Sequence, residues 1–435
     1  MGERTATPEQ IRRATLAGAV GTVIEWYDYA LYGAASALYV GPLFFPNSSP
    51  TAATLAAFAT FAVGFFARPL GGVVISHFGD RIGRKPALVA TIALMGGSTV
   101  LMGLLPTYHQ VGVLAPILLV ALRVLQGFGA GAELAGATTM ISEYVPANRR
   151  GFFTSIPNAA TAVGLSLATV AFLGVQGMSA SSASAWGWRV PFLASVVIFA
   201  VAMLIRRSLA ETPEFTATAG TPTNAPIVRL FRERPKQVLL AFLAVTGHNA
   251  NAYVLNTFAL SYLTGTLHMS DGAGLAAVLV AGVVAVASTP LFGRWADRRG
   301  SATVFAFGAA FVAVAAFPFF LLLDTRNVVV VVLTMSAGYG VGFGAMAGAQ
   351  GAFLADLFDT RYRFSGIAVA REANGMLVAG PTPFIAAALV SAAGGRPWLV
   401  ATFLVVCAAI TLAALAAERG IRTRSARRDG TPRRD

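Results

Sequence analysis

One cysteine, four histidines, two lysines and a 12% share of charged residues are what this 435-residue chain has least of. Ordinary soluble domains carry about 25% charged residues, so a water-facing globular surface is missing. The lone Cys407 lies in an apolar run near the C-terminus. It allows neither a disulfide framework nor a cysteine-based metal site, and reads as a small core or lipid-facing residue. Four scattered histidines form no metal-ligand spacing. A membrane-embedded enzyme or receptor needs a nucleophile with its base, a metal cluster or a sizeable soluble domain, and none of these is present. The sequence therefore gives no catalytic group, no metal site and no cofactor, and points away from an enzyme.

What the chain has in excess is apolar length, with 56% of its residues hydrophobic. The stretches Ala87 to Leu122, Gly151 to Trp188, Gln237 to Ser270, Gly272 to Gly293 and Asn327 to Ala355 contain no charged side chain. Roughly 20 apolar residues span a bilayer core, so each run holds one or two helices. Twelve helices fit, near 14–40, 52–76, 87–105, 112–142, 151–175, 187–206, 237–264, 272–293, 301–323, 327–355, 363–392 and 396–417. The expected class is an all-α membrane protein of two pseudo-symmetric six-helix bundles. Its parts are an N-terminal bundle over 1–206, an interdomain loop over 207–236 with four prolines, a C-terminal bundle over 237–417 and a solvated basic tail over 418–435.

Counting Lys and Arg in alternate connections orients these helices. One side collects 26 of them and the other only Arg189, Arg326 and Arg396, leaving Arg68, Arg123 and Arg371 inside helices. Basic connections stay in the cytoplasm, which places both termini there. The net charge of +13 has the same origin, and the soluble basic face that nucleic acid would need is absent. A cleaved signal peptide is not expected, because the first apolar stretch is too long and contains carboxylates.

Two short charged segments nearly repeat one another. Gly79-Asp80-Arg81-Ile82-Gly83-Arg84-Lys85 and Gly293-Arg294-Trp295-Ala296-Asp297-Arg298-Arg299-Gly300 place their Asp-Arg-x-Gly cores 217 residues apart. An internal repeat set in a bilayer points to a transporter that rocks one half against the other. As loops between helices, Asp80, Arg81, Gly83, Arg84 and Lys85, with Asp297 and Arg298, are expected to gate. They would link neighbouring helices in one conformational state and so change which state is populated.

Ionisable side chains at bilayer depth are expensive and mark function. Glu25 and Asp28 stand near the midplane of the first helix, and their i, i+3 spacing puts both on one face. They read as proton-coupling or substrate groups, or as members of a static ion pair. Arg123, near the midplane of the fourth helix, is expected either to grip an anionic ligand in bidentate fashion or to pair permanently with Glu25 or Asp28. Glu133 lies in a seam of small residues, Gly127 to Ala137, where it reads as a gate or structural group. His248, with Asn249 and further amides nearby, is either a proton relay or a neutral lining group. In the eleventh helix Glu372 is expected to face the cavity while Arg371 reaches toward the cytoplasmic surface. Arg68, before Pro69, is expected to snorkel or to form a structural pair.

Four segments carry a family likeness: Ile24-Glu25-Trp26-Tyr27-Asp28-Tyr29-Ala30-Leu31-Tyr32-Gly33, Phe66-Ala67-Arg68-Pro69-Leu70-Gly71-Gly72, Phe78-Gly79-Asp80-Arg81-Ile82-Gly83-Arg84-Lys85 and Gly187-Trp188-Arg189-Val190-Pro191-Phe192. With Arg123-x-x-Gln126-Gly127 they make the chain resemble the major facilitator superfamily over essentially its whole length, and within it the metabolite:proton symporter branch. The resemblance implies the major facilitator fold and proton-coupled uptake, by alternating access, of a small organic acid or carboxylate metabolite. Zwitterions such as proline or betaine are the alternative, and proton-driven drug export is a weaker one, because Pro157 to Thr169 lacks the glycine-proline run expected of exporters. It implies coupling or binding by Glu25 and Asp28, anion contact by Arg123, and a multi-pass protein of a bacterial cell (inner) membrane working as a monomer. Its partners would be the substrate, protons and the lipid bilayer. Three departures stand out: Ala132-Glu133-Leu134-Ala135-Gly136-Ala137 replaces a more glycine-rich run, Ser76 replaces a glycine, and Arg371-Glu372 is more charged than the pattern.

Overall fold

A computed structural model of the chain describes residues 8–82, 84–131, 141–142, 145–208 and 226–428. Lipid offers no water to free N–H and C=O groups, so the charge-free runs satisfy their backbones internally as helices. In chain order these are α1 (Pro8–Ala35, continued by a π turn Ser36–Val40 and Gly41–Phe44), α2 (Pro50–Ile82), α3 (Arg84–Gly103), α4 (Leu114–Ala130), α5 (Arg150–Val175) and α6 (Arg189–Ser208). The second half holds α7 (Pro235–Thr266), α8 (Asp271–Arg299), α9 (Ser301–Leu323), α10 (Val328–Leu357), α11 (Tyr362–Ala392, with Thr360 as its first helical residue) and α12 (Trp398–Arg428). Among the described residues nine of the twelve, α2 and α5 to α12, with α6 counted from Ala183, are long and apolar enough to cross a bilayer, and α3 and α4 hold shorter apolar helices.

Helices α1–α6 and α7–α12 form the two six-helix bundles. Within the first, α2 packs on α4, α3 on α4 and α6, and α5 on α1. In the second, α7 packs on α12 and α11, α9 on α12 and α10, and α8 on α10. The bundles meet where α5 lies against α8 and α10 and where α2 lies against the outer part of α11.

Lipid tails are as apolar as leucine, so close packing rather than water exclusion holds these helices together, and glycine sets the distance. A β-carbon on Gly127 would stand 2.0 Å from the Gly64 carbonyl oxygen, and one on Gly71 1.9 Å from that of Phe128, so α2 and α4 touch backbone to backbone. Between the bundles, a β-carbon on Gly151 of α5 would lie 2.4 Å from the Gly293 carbonyl oxygen of α8.

Three expectations change. The repeated Asp-Arg-x-Gly segments are helix ends rather than loops: Asp80 and Arg81 belong to α2, Arg84 and Lys85 to α3, and Asp297 and Arg298 to the last turns of α8, which stops at Gly300 with φ +89°. Gly83 and Glu133 lie outside the described residues, as do the side chains of Asp80, Arg81, Arg84 and Lys85. The basic tail does not leave the membrane as coil at Glu418. Helix α12 runs on to Arg428, since Ala and Arg are good helix formers and Pro432 comes too late to stop it. The interdomain connection also holds a helix, Pro226–Glu233, tied to α11 where Tyr362 donates to Glu233 at 2.5 Å and Arg234 pairs with Asp359 at 2.5 Å. Cys407 is a buried core residue, 5% exposed.

Replacing Gly127 by Ala is expected to separate α2 from α4, at an overpacking penalty of about 1–3 kcal/mol or more. Thermal unfolding of the detergent-solubilised protein measures it. Gly97→Ala, whose new methyl meets nothing within 4 Å, serves as the control that leaves the midpoint unchanged.

Candidate substrate and proton site

Two buried arginines stand on neighbouring helices, and each is neutralised differently. Arg123 of α4 is fully buried, with no exposed surface. Its guanidinium donates to the main-chain oxygens of Phe61 at 2.8 Å and Thr60 at 3.4 Å, and to Gln126 Oε1 one turn further along α4. The face of Tyr32 lies 4.0 Å from its central carbon. Gly64 leaves the space, since a β-carbon there would approach Arg123 Nη2 to 2.6 Å. Three of its five N–H groups are engaged and the side chain has no exposed surface, so a ligand carboxylate does not reach Arg123 in this arrangement.

Asp28 does not touch Arg123 directly. Gln126 stands between them, accepting from the guanidinium through Oε1 and donating to Asp28 Oδ2 through Nε2 at 2.7 Å. The Thr99 hydroxyl donates to Asp28 Oδ1. The permanent pairing expected between Arg123 and a carboxylate of α1 thus becomes a relay through one oriented amide. Gln126 was visible in the sequence only as part of Arg123-x-x-Gln126, an i, i+3 pair on one helix face.

Glu25 belongs to a second network. Its Oε1 accepts from Arg68 Nη2 at 3.1 Å, and Glu372 of the other bundle takes both Nε at 3.0 Å and Nη2 at 3.1 Å of the same guanidinium. The side chains of Arg68 and Glu25 are 5% exposed and that of Glu372 16%. Arg68 accordingly does not snorkel; it is a buried charged link between the halves. The rings of Tyr29 and Phe65 lie 5.1 and 5.8 Å from it. Although Glu25 and Asp28 share a helix face by spacing, neighbouring helices draw them into separate networks.

Arg371 also departs from expectation. It is partly buried, within electrostatic reach of Glu25, Glu372, Arg68 and Tyr253, rather than directed to the cytoplasmic surface. Glu372 faces the core as expected. Tyr253 of α7 closes this region, with Trp26, Phe61 and Phe65 at ring separations of 6.0, 5.9 and 5.5 Å.

In the second bundle Asn249 donates to Asn374 at 2.6 Å, and Asn374 donates in turn to Phe242 O and Thr246 Oγ1 at 2.9 Å each, fastening α7 to α11. π turns follow at Val254–Phe258 and Gly375–Ala379, a local widening that recurs at functional sites. His248 is 9% exposed, its ring 5.0 Å from Phe343, and its Nδ1 is a buried nitrogen without a hydrogen-bond partner, as is Asn251 Nδ2.

At the basic end Asp297 accepts from the backbone nitrogens of Gly151 at 2.6 Å and Phe152 at 3.0 Å. A carboxylate of one bundle thereby caps the first turn of α5 in the other, where free N–H groups and the helix dipole favour negative charge. Arg150 pairs with Asp356 of α10 at 3.2 Å, and Asn158 donates to Ala347 O at 2.8 Å. Arg298 is exposed and takes no part among the described residues.

Two helix bundles joined by buried charges across their interface define a polytopic membrane carrier. The match of residues 18–379 to the Major Facilitator Superfamily model confirms the class, and the chain belongs to that superfamily. It is 36% identical to the "Shikimate transporter" of Escherichia coli (strain K12) over 92% of this chain and 93% of that protein. Identity is 34% with the "Inner membrane metabolite transport protein YhjE" of the same organism, over 95% of each chain, and 32% with the "Glycine betaine/proline/ectoine/pipecolic acid transporter OusA" of Dickeya dadantii (strain 3937), over 93% of this chain and 82% of that one. These relatives place it among the metabolite carriers of the metabolite:proton symporter branch. In fold it is similar to a D-xylose-proton symporter, with a TM-score of 0.72 at 20% identity over 92% of this chain and 97% of that one. The chain is a transporter, not an enzyme.

Glu25 and Glu372 share one guanidinium, so their removal is expected to be non-additive. In a double-mutant cycle of Glu25→Gln and Glu372→Gln, read by thermal unfolding, the coupling is expected to reach about 0.5–3 kcal/mol. Additive effects would mean that Arg68 does not hold both carboxylates at once.

Proposed function

We propose that the protein is a proton-coupled uptake symporter for a small carboxylate in the cell (inner) membrane, working by alternating access between the bundles 1–206 and 237–417. The observation that carries this reading is the Glu25–Arg68–Glu372 link. Opening the interface on that side parts Arg68 from Glu372, and an unpaired buried charge is strongly disfavoured. A substrate carboxylate entering beside Arg68 and Arg371, which forms no ion pair among the described residues, takes the place of the lost partner. Substrate and interface thus compete for the same cations, and binding biases which state is populated. Proton coupling falls to Asp28, whose link to Arg123 runs through a neutral amide, so that one added proton changes the charge of the whole cluster. Asp297 on the first turn of α5 supplies the gate at the cytoplasmic end. His248 and Asn249 serve as lining and fastening groups of α7.

A second reading is uptake of a zwitterion such as proline or betaine. It is favoured by the likeness to OusA and by the aromatic cluster of Trp26, Tyr29, Phe65 and Tyr253, whose faces suit a cationic headgroup.

Thermal stability of the purified protein against carboxylates, zwitterions and amines, at acid and neutral pH, separates the two, since a ligand of the native state raises its stability. Stabilisation by one carboxylate, lost in Arg68→Lys, is expected; stabilisation by a betaine indifferent to that change overturns the carboxylate reading. In proteoliposomes, Asp28→Asn is expected to abolish accumulation driven by a proton gradient while substrate exchange persists. Arg123→Lys is expected to lose accumulation too, because an ammonium cannot reproduce the guanidinium fork. Undiminished accumulation by Asp28→Asn removes that carboxylate from coupling.

A further inference from the structure

A cavity lined by described residues lies away from the central charges. It measures about 530 Å³, at the end of the second bundle opposite the basic face, and is lined by residues of α7, the α9–α10 turn and the α11–α12 turn. A volume of roughly 300–1,000 Å³ is that of a small-molecule site. Of the three basic residues on this side of the membrane, two, Arg326 and Arg396, line it.

Both arginines are delivered by backbone that works against ordinary preference. Arg326, two residues past Asp324, the C-cap of α9, has φ +55°, a left-handed conformation usual for glycine or asparagine because a β-carbon disfavours it. Arg396 follows Gly394 and Gly395 at φ +62° and +87°, a turn that only glycine makes without strain. Neither guanidinium has a carboxylate partner among the described residues. The one acid in the wall, Asp324, has Oδ1 engaged by the Tyr262 hydroxyl at 2.6 Å, leaving Oδ2. Both arginines are exposed, so water screens their mutual repulsion, and an anion entering the cleft meets two guanidinium groups at once.

We infer that this cavity is a second ligand site, on the non-cytoplasmic face, for a small carboxylate that also carries a hydroxyl or amino group. The carboxylate lies between Arg326 and Arg396, and the hydroxyl or amine donates to Asp324. Trp398 and Pro397 cover the apolar side. The site is built wholly from the second bundle and does not include Glu25, Arg68, Arg123 or Glu372. Its existence does not depend on the central reading; only its use as a capture point for transported substrate does.

Trp398 in the wall provides the signal. Shikimate is titrated into the purified protein, and the emission change of Trp398 is taken as the difference between wild type and Trp398→Phe. A saturable change is expected that persists in Arg68→Gln and weakens at least about tenfold in Arg326→Gln/Arg396→Gln, with shikimate carboxamide giving none. Should Arg68→Gln fail to fold, Trp26→Phe, which silences the tryptophan beside the central charges, is expected to leave the change intact. No saturable signal, an equal response to the carboxamide, or indifference to loss of both arginines overturns the site. So does displacement of shikimate by phosphatidylglycerol in nanodiscs, which would make the cavity a lipid-headgroup site. Loss of the signal in Arg68→Gln and Trp26→Phe, but not in the double arginine variant, would return the ligand to the central region.

Discussion

A guanidinium cannot be discharged inside a bilayer, and the interior of this protein is arranged around that constraint. Arg123 and Arg68 stand on α4 and α2, helices that glycines bring into backbone contact. Arg123 is satisfied within its own bundle by carbonyl oxygens, an aromatic face and an amide. Arg68 is satisfied only by including a carboxylate from the other bundle. The first arrangement is static. The second ties the charge balance of the core to the relative position of the two halves, and breaking such a pair by removing one partner typically costs about 3–5 kcal/mol. A ligand bearing the missing charge offsets that cost, which is the thermodynamic requirement for a ligand to select one state.

The fold was legible in the sequence because charge-free length and the distribution of arginines leave little freedom. Helix ends were less legible. The repeated Asp-Arg-x-Gly segments look like loops because they are charged, yet Asp297 sits within a helix and uses its carboxylate on another helix's first turn. Charge marks the edge of the lipid, not the end of the helix. The same confusion placed the end of α12 at residue 417 instead of Arg428.

Among the candidate residues, a place in the core was legible and pairing was not. Glu25, Asp28, Arg123 and Glu372 stood out because ionisable groups are rare at that depth. Which of them meet is decided by helix rotation and by the α2–α4 separation, neither of which spacing on a single helix specifies. Arg68 appeared peripheral from its distance along α2, but Gly131 approaches its carbonyl so closely that a β-carbon there would lie 1.9 Å away. That contact belongs to packing between helices. Gln126 and Thr99 were missed because neutral polar residues are common in membrane helices, and only their buried partners mark them out.

The choice between a carboxylate and a quaternary ammonium turns on which groups already occupy the aromatic faces. Arg68 lies over Tyr29 and Phe65, and Arg123 over Tyr32 and Phe61. The cation–π positions on the α1–α2 side are therefore filled by the protein's own cations. An incoming ammonium has to displace a guanidinium that carries hydrogen bonds as well as charge, and it brings like charge to Arg371. An incoming carboxylate instead adds a partner to cations whose existing acids come from three different helix positions. In this cluster of described rings the Trp26–Tyr253 pair has no arginine over it, and its rings stand 6.0 Å apart at 34°, too close for a methylated ammonium to enter between them without moving α1 from α7. The charges of this core thus support the proposed anion over the zwitterion, which would have to part α1 from α7 to enter.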